Sequence, residues 1–352
     1  MAAYSGREHE WGTRMRPLTP ARIVATCGLL CGVLFVVVVF SLRMGAYPIS
    51  LHNIVITLFR GAIGQRDEVP PDFWLVVFGL RLPRIALGIL VGAALATAGA
   101  GFQALLRNPL ADPYVLGLAS GAALGAMLSL MVAPHTAGVI QAGAFIGAAA
   151  TTGAVYFLGR RGGQLDSPTL LLAGIISASF LSAGIVFLST TLSSRDQRGM
   201  GFWLMGDLAT PPSVDLKWLY FILLVTLGCI YTTSSDLNLI LTGEQEAGHL
   251  GVNVYRVKMV VYVAGSLLTG LAVSVGGTIG YVGLLVPHMM RLLFGTDYRL
   301  LIPTSAIGGG IIIVLADTLA RTVVAPTELP VGAMTALAGA PVFIYLMKRR
   351  VR

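Results

Sequence analysis

The chain has 352 residues, of which 55% are hydrophobic and only 11% charged, with a mean hydropathy of +0.81. A soluble domain carries about a quarter charged residues, so this composition excludes a water-soluble globule and describes an all-α, polytopic membrane protein. The net charge of +8 comes with no basic patch interleaved with aromatics, which excludes a nucleic-acid surface and leaves the positive-inside bias of membrane loops as its cause.

Taken in order, the apolar runs predict about ten transmembrane helices. A cytoplasmic tail, residues 1–22, carries Arg7, Arg14, Arg16 and Arg22 at its edge, and span one follows at Ile23–Leu42. Tyr47–Phe73 reads as an outside segment whose Ser50–Arg60 piece is amphipathic and interfacial. Span two starts at Arg81-Leu-Pro-Arg84, with Pro83 suited to a first helical turn. It continues through Gly88, Gly92, Ala96 and Gly99, a small-residue face for tight helix contact, to about Leu106. Spans three to six fall near Val115–Val132, Ala137–Leu158, Leu170–Leu192 and Leu216–Thr233. Pro134-His135 turns the chain outside and Arg160-Arg161-Gly162-Gly163 turns it inside; Ser193–Gly201 is a polar outside connection leading to an interfacial aromatic turn at 202–207. Spans seven to ten fall near Val257–Val275, Ile279–Leu293, Leu300–Val324 and Gly332–Leu346, with a broken helix expected from Gly276-Gly277 and Pro287. The tail 348–352 is inside, so residues 23–347 form one transmembrane domain with both termini cytoplasmic. This topology puts fifteen of the 24 lysines and arginines inside, a moderate bias in the expected direction.

Between spans six and seven lies a polar island, residues 242–258, with more local order than a minimal connector needs. Thr242 and Gln245 make a T-x-x-Q capping box for a short helix carrying Ala247 and Leu250. Gly251 stands where that helix would end in the left-handed conformation, and Asn253 can cap the next one. The three cysteines, Cys27, Cys31 and Cys229, lie in apolar runs without metal or disulfide spacing. No G-x-x-x-x-G-K-[ST] phosphate loop, H-E-x-x-H or G-x-S-x-G occurs, and no paired carboxylates stand at mid-span, which argues against a membrane enzyme. Asp317 and Arg321, at i,i+4 in span nine, read as a local ion pair, and His249 and His288 as structural histidines.

Seven motifs then coincide in order: Arg81-Leu-Pro-Arg84, Asn108-Pro-Leu-Ala-Asp-Pro113, Leu116-Gly-Leu-Ala-Ser-Gly121, Leu171-Leu-Ala-Gly174, Gly243-x3-Ala247-x2-Leu250-Gly251-Val252, Gly280-Tyr-Val-Gly-Leu-Leu-Val-Pro-His288 and Glu328-Leu-Pro-Val-Gly332. The set resembles the FecCD family, permeases of bacterial type II ABC importers for iron–siderophore complexes, haem and cobalamin. The resemblance implies a cobalamin-importer-permease-like fold, dimeric around a central path in the bacterial inner membrane. It implies two separate ATP-binding subunits and a periplasmic or lipid-anchored substrate-binding protein as partners. No cofactor is expected on this chain, ATP and magnesium belonging to the ATPase. By the same resemblance Gly243, Glu244, Ala247, Leu250, Gly251 and Val252 form an ATPase-coupling elbow, and Arg81, Arg84 and Arg321 dock acidic residues of the binding protein. Ser167 and Pro168 fall at the cytoplasmic gate, where Pro168 replaces the usual hydroxyl; Ser167 capping span five is an equal alternative. The expected function is import of a metal chelate, most often iron–siderophore, by alternating access. An ion-coupled secondary transporter is the rival, disfavoured because no ionisable group stands clearly at a span centre.

Overall fold

Long apolar runs, capped by short polar side chains, wind into fifteen α-helices among the residues that the computed structural model describes: 18–45, 47–133, 136–161, 164–210 and 212–350. The tail arginines Arg7, Arg14 and Arg16, the Pro134-His135 and Gly162-Gly163 turns and Arg352 lie outside the described residues. Helix α1 (Pro20–Arg43) is capped by Thr19 and is followed by α2 (Leu51–Ala62), whose Ser50 hydroxyl accepts from Asn53 N–H at 3.2 Å.

The second span departs from the expected start. Helix begins at α3 (Pro71–Trp74) and passes through a π-type turn, Leu75–Arg81, into α4 (Leu82–Leu105) without interruption. Pro83 is therefore inside a continuous 35-residue helix instead of opening one. A proline there removes one i→i−4 bond, and the adjacent turn, in which Leu82 N–H bonds to Val77 C=O five residues back, absorbs the mismatch.

After a short 3₁₀ turn, Pro113–Leu116, Gly117 takes φ +77° and admits α5 (Leu118–Val132). Next come α6 (Val139–Leu158), a two-strand hairpin of β1 (Arg160–Arg161) and β2 (Gln164–Leu165), and α7 (Ser167–Ser189). The outside connection expected at 193–207 is mostly helical: α8 (Ser194–Leu204) starts where Ser193 Oγ accepts from Asp196 N–H at 3.2 Å, a local cap that outweighs the polar composition. Helix α9 (Leu216–Thr232) bends by 47° into α10 (Ser234–Ile240), which precedes α11 (Glu244–His249), α12 (Val254–Gly276), α13 (Val282–Phe294), α14 (Tyr298–Ala320) and α15 (Val331–Arg350). Among the described residues six helices are long and apolar enough to span a membrane, the bent α9–α10 pair makes a seventh, and three shorter apolar helices occupy the remaining expected positions.

The centre of the bundle is α4, flanked by α12, α13 and α14. Buried residues make up 89% of the α4 span window and 78% of that of α12, against 6% for α1, which faces outward. Small residues allow this. A methyl carbon on Gly92 would lie 2.1 Å from Gly309 O, and one on Gly99 only 1.8 Å from Gly283 O, so α4 meets α14 and α13 backbone to backbone. Gly283 is four residues before Pro287, so its carbonyl has lost its helical donor; the Cα–H of Gly99 occupies that place. Pro287 consequently sits inside α13 without breaking it, and the break expected from both features falls at 277–281 alone.

Candidate functional site

At one end of the bundle the polar island is an elbow held at both of its turns. The expected Thr242–Gln245 capping box is not formed, and α11 starts one residue later than that box requires. Thr242 Oγ1 donates back to Leu239 O at 2.8 Å, closing α10, and Gly243 is the N-cap of α11. The unforeseen helix α10 claims the threonine because a hydroxyl at a helix C-terminus satisfies an orphan carbonyl. The other turn is as expected. Gly251 has φ +89°, its N–H bonds to Gly248 O at 3.0 Å, and Val252 N–H reaches Ala247 O at 3.0 Å. Those two bonds are a Schellman motif, and Asn253 Oδ1 caps α12 by accepting from Arg256 N–H at 3.0 Å. Ala247 is fully buried, whereas Leu250 is 68% exposed at the tip of the turn.

The elbow and the gate candidates share one cavity. A space of about 510 Å³ is lined by Arg107, Arg161, Leu165, Asp166, Ser167, Pro168, Glu244 and Lys258. Ser167 does not cap its helix: Asp166 does, accepting from Thr169 N–H at 3.1 Å, while Ser167 Oγ crosses to Leu105 O at 3.1 Å. The bonds from Thr169 hold the Asp166 carboxyl below its usual pKa. Pro168 is exposed beside it. Lys258, buried in the first turns of α12, is 2.6 Å from the Glu244 carboxylate and donates to Leu165 O at 3.3 Å.

A second tie fastens α10 to the start of α14. Asn238 Nδ2 donates to Asp297 Oδ1 at 2.8 Å, and its Oδ1 accepts from Tyr298 N–H at 2.9 Å. Asp297 also accepts both Nε and Nη2 of Arg299, which depresses its pKa. From Tyr298 the bonds run on through Arg291 to Gln103 of α4, at 3.3 and 2.9 Å.

At the opposite end α4 and α14 bring the three predicted arginines together around a space of about 290 Å³. Arg81 and Arg321 are 4% and 7% exposed and turned inward: Arg81 donates to Leu42 O and Tyr47 O, Arg321 to Ser41 O and Ser41 Oγ. Arg84 is paired with Asp317 at 2.8 Å and with the half-exposed Glu328 at 2.7 Å. Asp317 thus has Arg84 as its tighter partner, its contact with Arg321 being 3.7 Å. Next to this end, both polar groups of Ile279 in the 277–281 break are bonded to one phenol, Tyr114 OH, at 3.1 Å.

Lys258, Asn238, Tyr114 and Glu328 are participants to which the sequence assigns no role, although Lys258 closes the polar island and Glu328 opens one of the motifs. Lys258 left one signal, a charge a single turn into an apolar span, where burial requires a partner. For the other three the partner is remote in sequence, and no local pattern marks it.

Apolar helices of this number define a multi-pass membrane protein, and the capped elbow beside a polar cavity is its candidate site. The model of the FecCD transport family matches residues 33–349. The chain is 43% identical over 329 residues to the uncharacterized ABC transporter permease protein YvrB of Bacillus subtilis (strain 168), covering 89% of this chain and 91% of that one. It is 41% identical over 282 residues to the cobalamin import system permease protein BtuC of Halobacterium salinarum, covering 80% and 76%. It is 38% identical over 330 residues to the hemin transport system permease protein HmuU of Yersinia pestis, covering 92% and 95%. A solved structure described as an inward-facing conformation of a metal-chelate type ABC transporter superposes with a TM-score of 0.77 at 29% identity, covering 93% of this chain and 99% of the other. The chain belongs to the FecCD transport family and is a transmembrane ABC transporter permease.

Proposed function

We propose that this permease imports a metal chelate (an iron–siderophore complex, haem or cobalamin) across the bacterial inner membrane, as a homodimer with both termini cytoplasmic. Two ATP-binding subunits grip the elbows, and a periplasmic or lipid-anchored binding protein delivers the cargo. ATP and magnesium reside on the ATPase. The observation that carries the reading is Leu250, an apolar side chain 68% exposed on a turn locked by caps on both sides. A rigid turn transmits displacement that a flexible loop would absorb, and an isolated apolar tip in water favours burial in a partner. On this reading Gly243, Glu244, Ala247 and Val252 shape the elbow, and Ser167 and Pro168 gate the adjoining cavity. The test is uptake of cobalamin, hemin and a ferric siderophore into proteoliposomes holding the permease, its ATPase and its binding protein. Transport of one cargo is expected to need a catalytically competent ATPase and to survive a proton uncoupler. Uptake that stops with the uncoupler and persists with an inactive ATPase overturns the reading.

Docking of the binding protein falls to Arg84 within this scheme, with Arg81 and Arg321 building the pocket behind it. Its Glu328 partner lies at the surface, so a carboxylate of the binding protein can exchange for Glu328 while Asp317 keeps the guanidinium oriented. Glu328→Gln is expected to raise the association rate of the binding protein, and Arg84→Glu to lower it and flatten its salt dependence. Unaltered association kinetics in both variants, measured by surface plasmon resonance across ionic strength, would contradict this role.

A further inference from the structure

We propose that Lys258 is a positioning residue that carries movement of the elbow to the gate segment; the proposal rests on the importer reading above. One buried ammonium holds two segments that are far apart in the chain. Its Nζ is 2.6 Å from Oε1 of Glu244, the first residue of α11, and donates at 3.3 Å to the carbonyl of Leu165, the residue just before Asp166-Ser167-Pro168. Lys258 is 6% exposed and Leu165 4% exposed, so the bond between them is buried, while the Glu244 side chain is 35% exposed and keeps one side to solvent.

The surroundings give this bridge a direction. Beyond it lies the cavity of about 510 Å³ bounded by the gate and elbow residues, so the gate segment has free volume on that side. A displaced Glu244 pulls on an ammonium whose escape from both acceptors would leave a buried charge uncompensated. With Lys258 only 6% exposed, that outcome is less favourable than movement of Leu165 and the segment attached to it. The far edge of the gate is anchored separately, by Ser167 Oγ on Leu105 O at 3.1 Å, so a pull through Leu165 turns the segment about that point.

The test uses the whole transporter, with the ATPase subunits bound, in nanodiscs. Cys27, Cys31 and Cys229 are replaced by serine, and a reporter thiol is placed at the exposed gate position (Pro168→Cys) or on the elbow (Gln245→Cys). The rate of reaction with a charged maleimide is measured without nucleotide and with ATP plus vanadate. In the parent both reporters change rate severalfold with nucleotide. In Lys258→Met the elbow reporter still responds and the gate reporter does not; in Lys258→Arg, which keeps charge and donors, both respond. The exchange Glu244→Lys with Lys258→Glu restores the ion pair but takes the ammonium off α12, the helix from which it reaches Leu165 O. It is expected to recover the melting temperature while the gate stays unresponsive, which a purely stabilising pair would not produce. A nucleotide-dependent gate in Lys258→Met or in the exchange variant overturns the relay, as does loss of the elbow response in Lys258→Met. Silence of both reporters in the parent overturns the importer reading and the relay with it.

Discussion

Leu250→Asp is expected to abolish ATP-driven transport while leaving the permease folded and the ATPase subunits able to hydrolyse ATP. Leu250 is 68% exposed and buries nothing within its own chain that the fold depends on. Seating a leucine in a partner's cleft contributes about 2 kcal/mol. Placing an unpaired carboxylate there costs several kcal/mol instead, so the combined change weakens the contact by a factor on the order of a thousand. Gly251→Pro reaches the same end through the backbone. Proline holds φ near −65°, whereas this residue has φ +89° and donates its N–H to Gly248 O at 3.0 Å. Co-purification of the ATPase subunits, uptake into proteoliposomes and the melting temperature of the isolated permease separate the effects. Uptake unchanged in either variant removes the elbow from the mechanism.

The second large effect is on folding. Gly99→Leu is expected to prevent recovery of a monodisperse permease, and Gly92→Leu to do nearly the same. Any side chain at these positions meets backbone oxygen, at 1.8 and 2.1 Å from the new Cβ, and backbone in packed helices cannot step aside as a flexible side chain can. Separating α4 from α13 or α14 also forfeits dispersion contacts along the whole seam, so a cost of about 3 kcal/mol or more is expected. Gly153→Leu on α6 and Gly228→Leu on α9 are the controls, since nothing lies within 4 Å of a Cβ at either. Size-exclusion profiles and detergent melting curves distinguish the pairs. Gly99→Leu behaving like Gly228→Leu would mean that α4 does not pack as described.

Much of the candidate site was legible because its signals are local. Gly251 and Asn253 act on groups within a few residues of themselves, so turn chemistry alone marks them. The Thr242 box does not form because α10, a short helix that the polar stretch Thr232–Asp236 conceals, takes the same hydroxyl for its own last turn. Ser167 failed similarly: two adjacent residues can each cap α7, and a carbonyl 62 residues away decides which is free to do so. The arginines were found and brought together, but their directions were not legible. A guanidinium at a helix end reads alike whether it faces a partner protein or the Ser41 carbonyl.

By itself the sequence determined that this chain is a bundle of membrane-spanning helices with one capped elbow, because hydropathy, spacing and capping act over one or two turns. Only the tertiary structure decided that Arg81 and Arg321 turn inward, that α4 lies at the centre, and that Lys258 joins the elbow to Leu165 just before α7. Each of these depends on which remote backbone carbonyl or glycine face comes within about 3 Å, and only packing sets that distance.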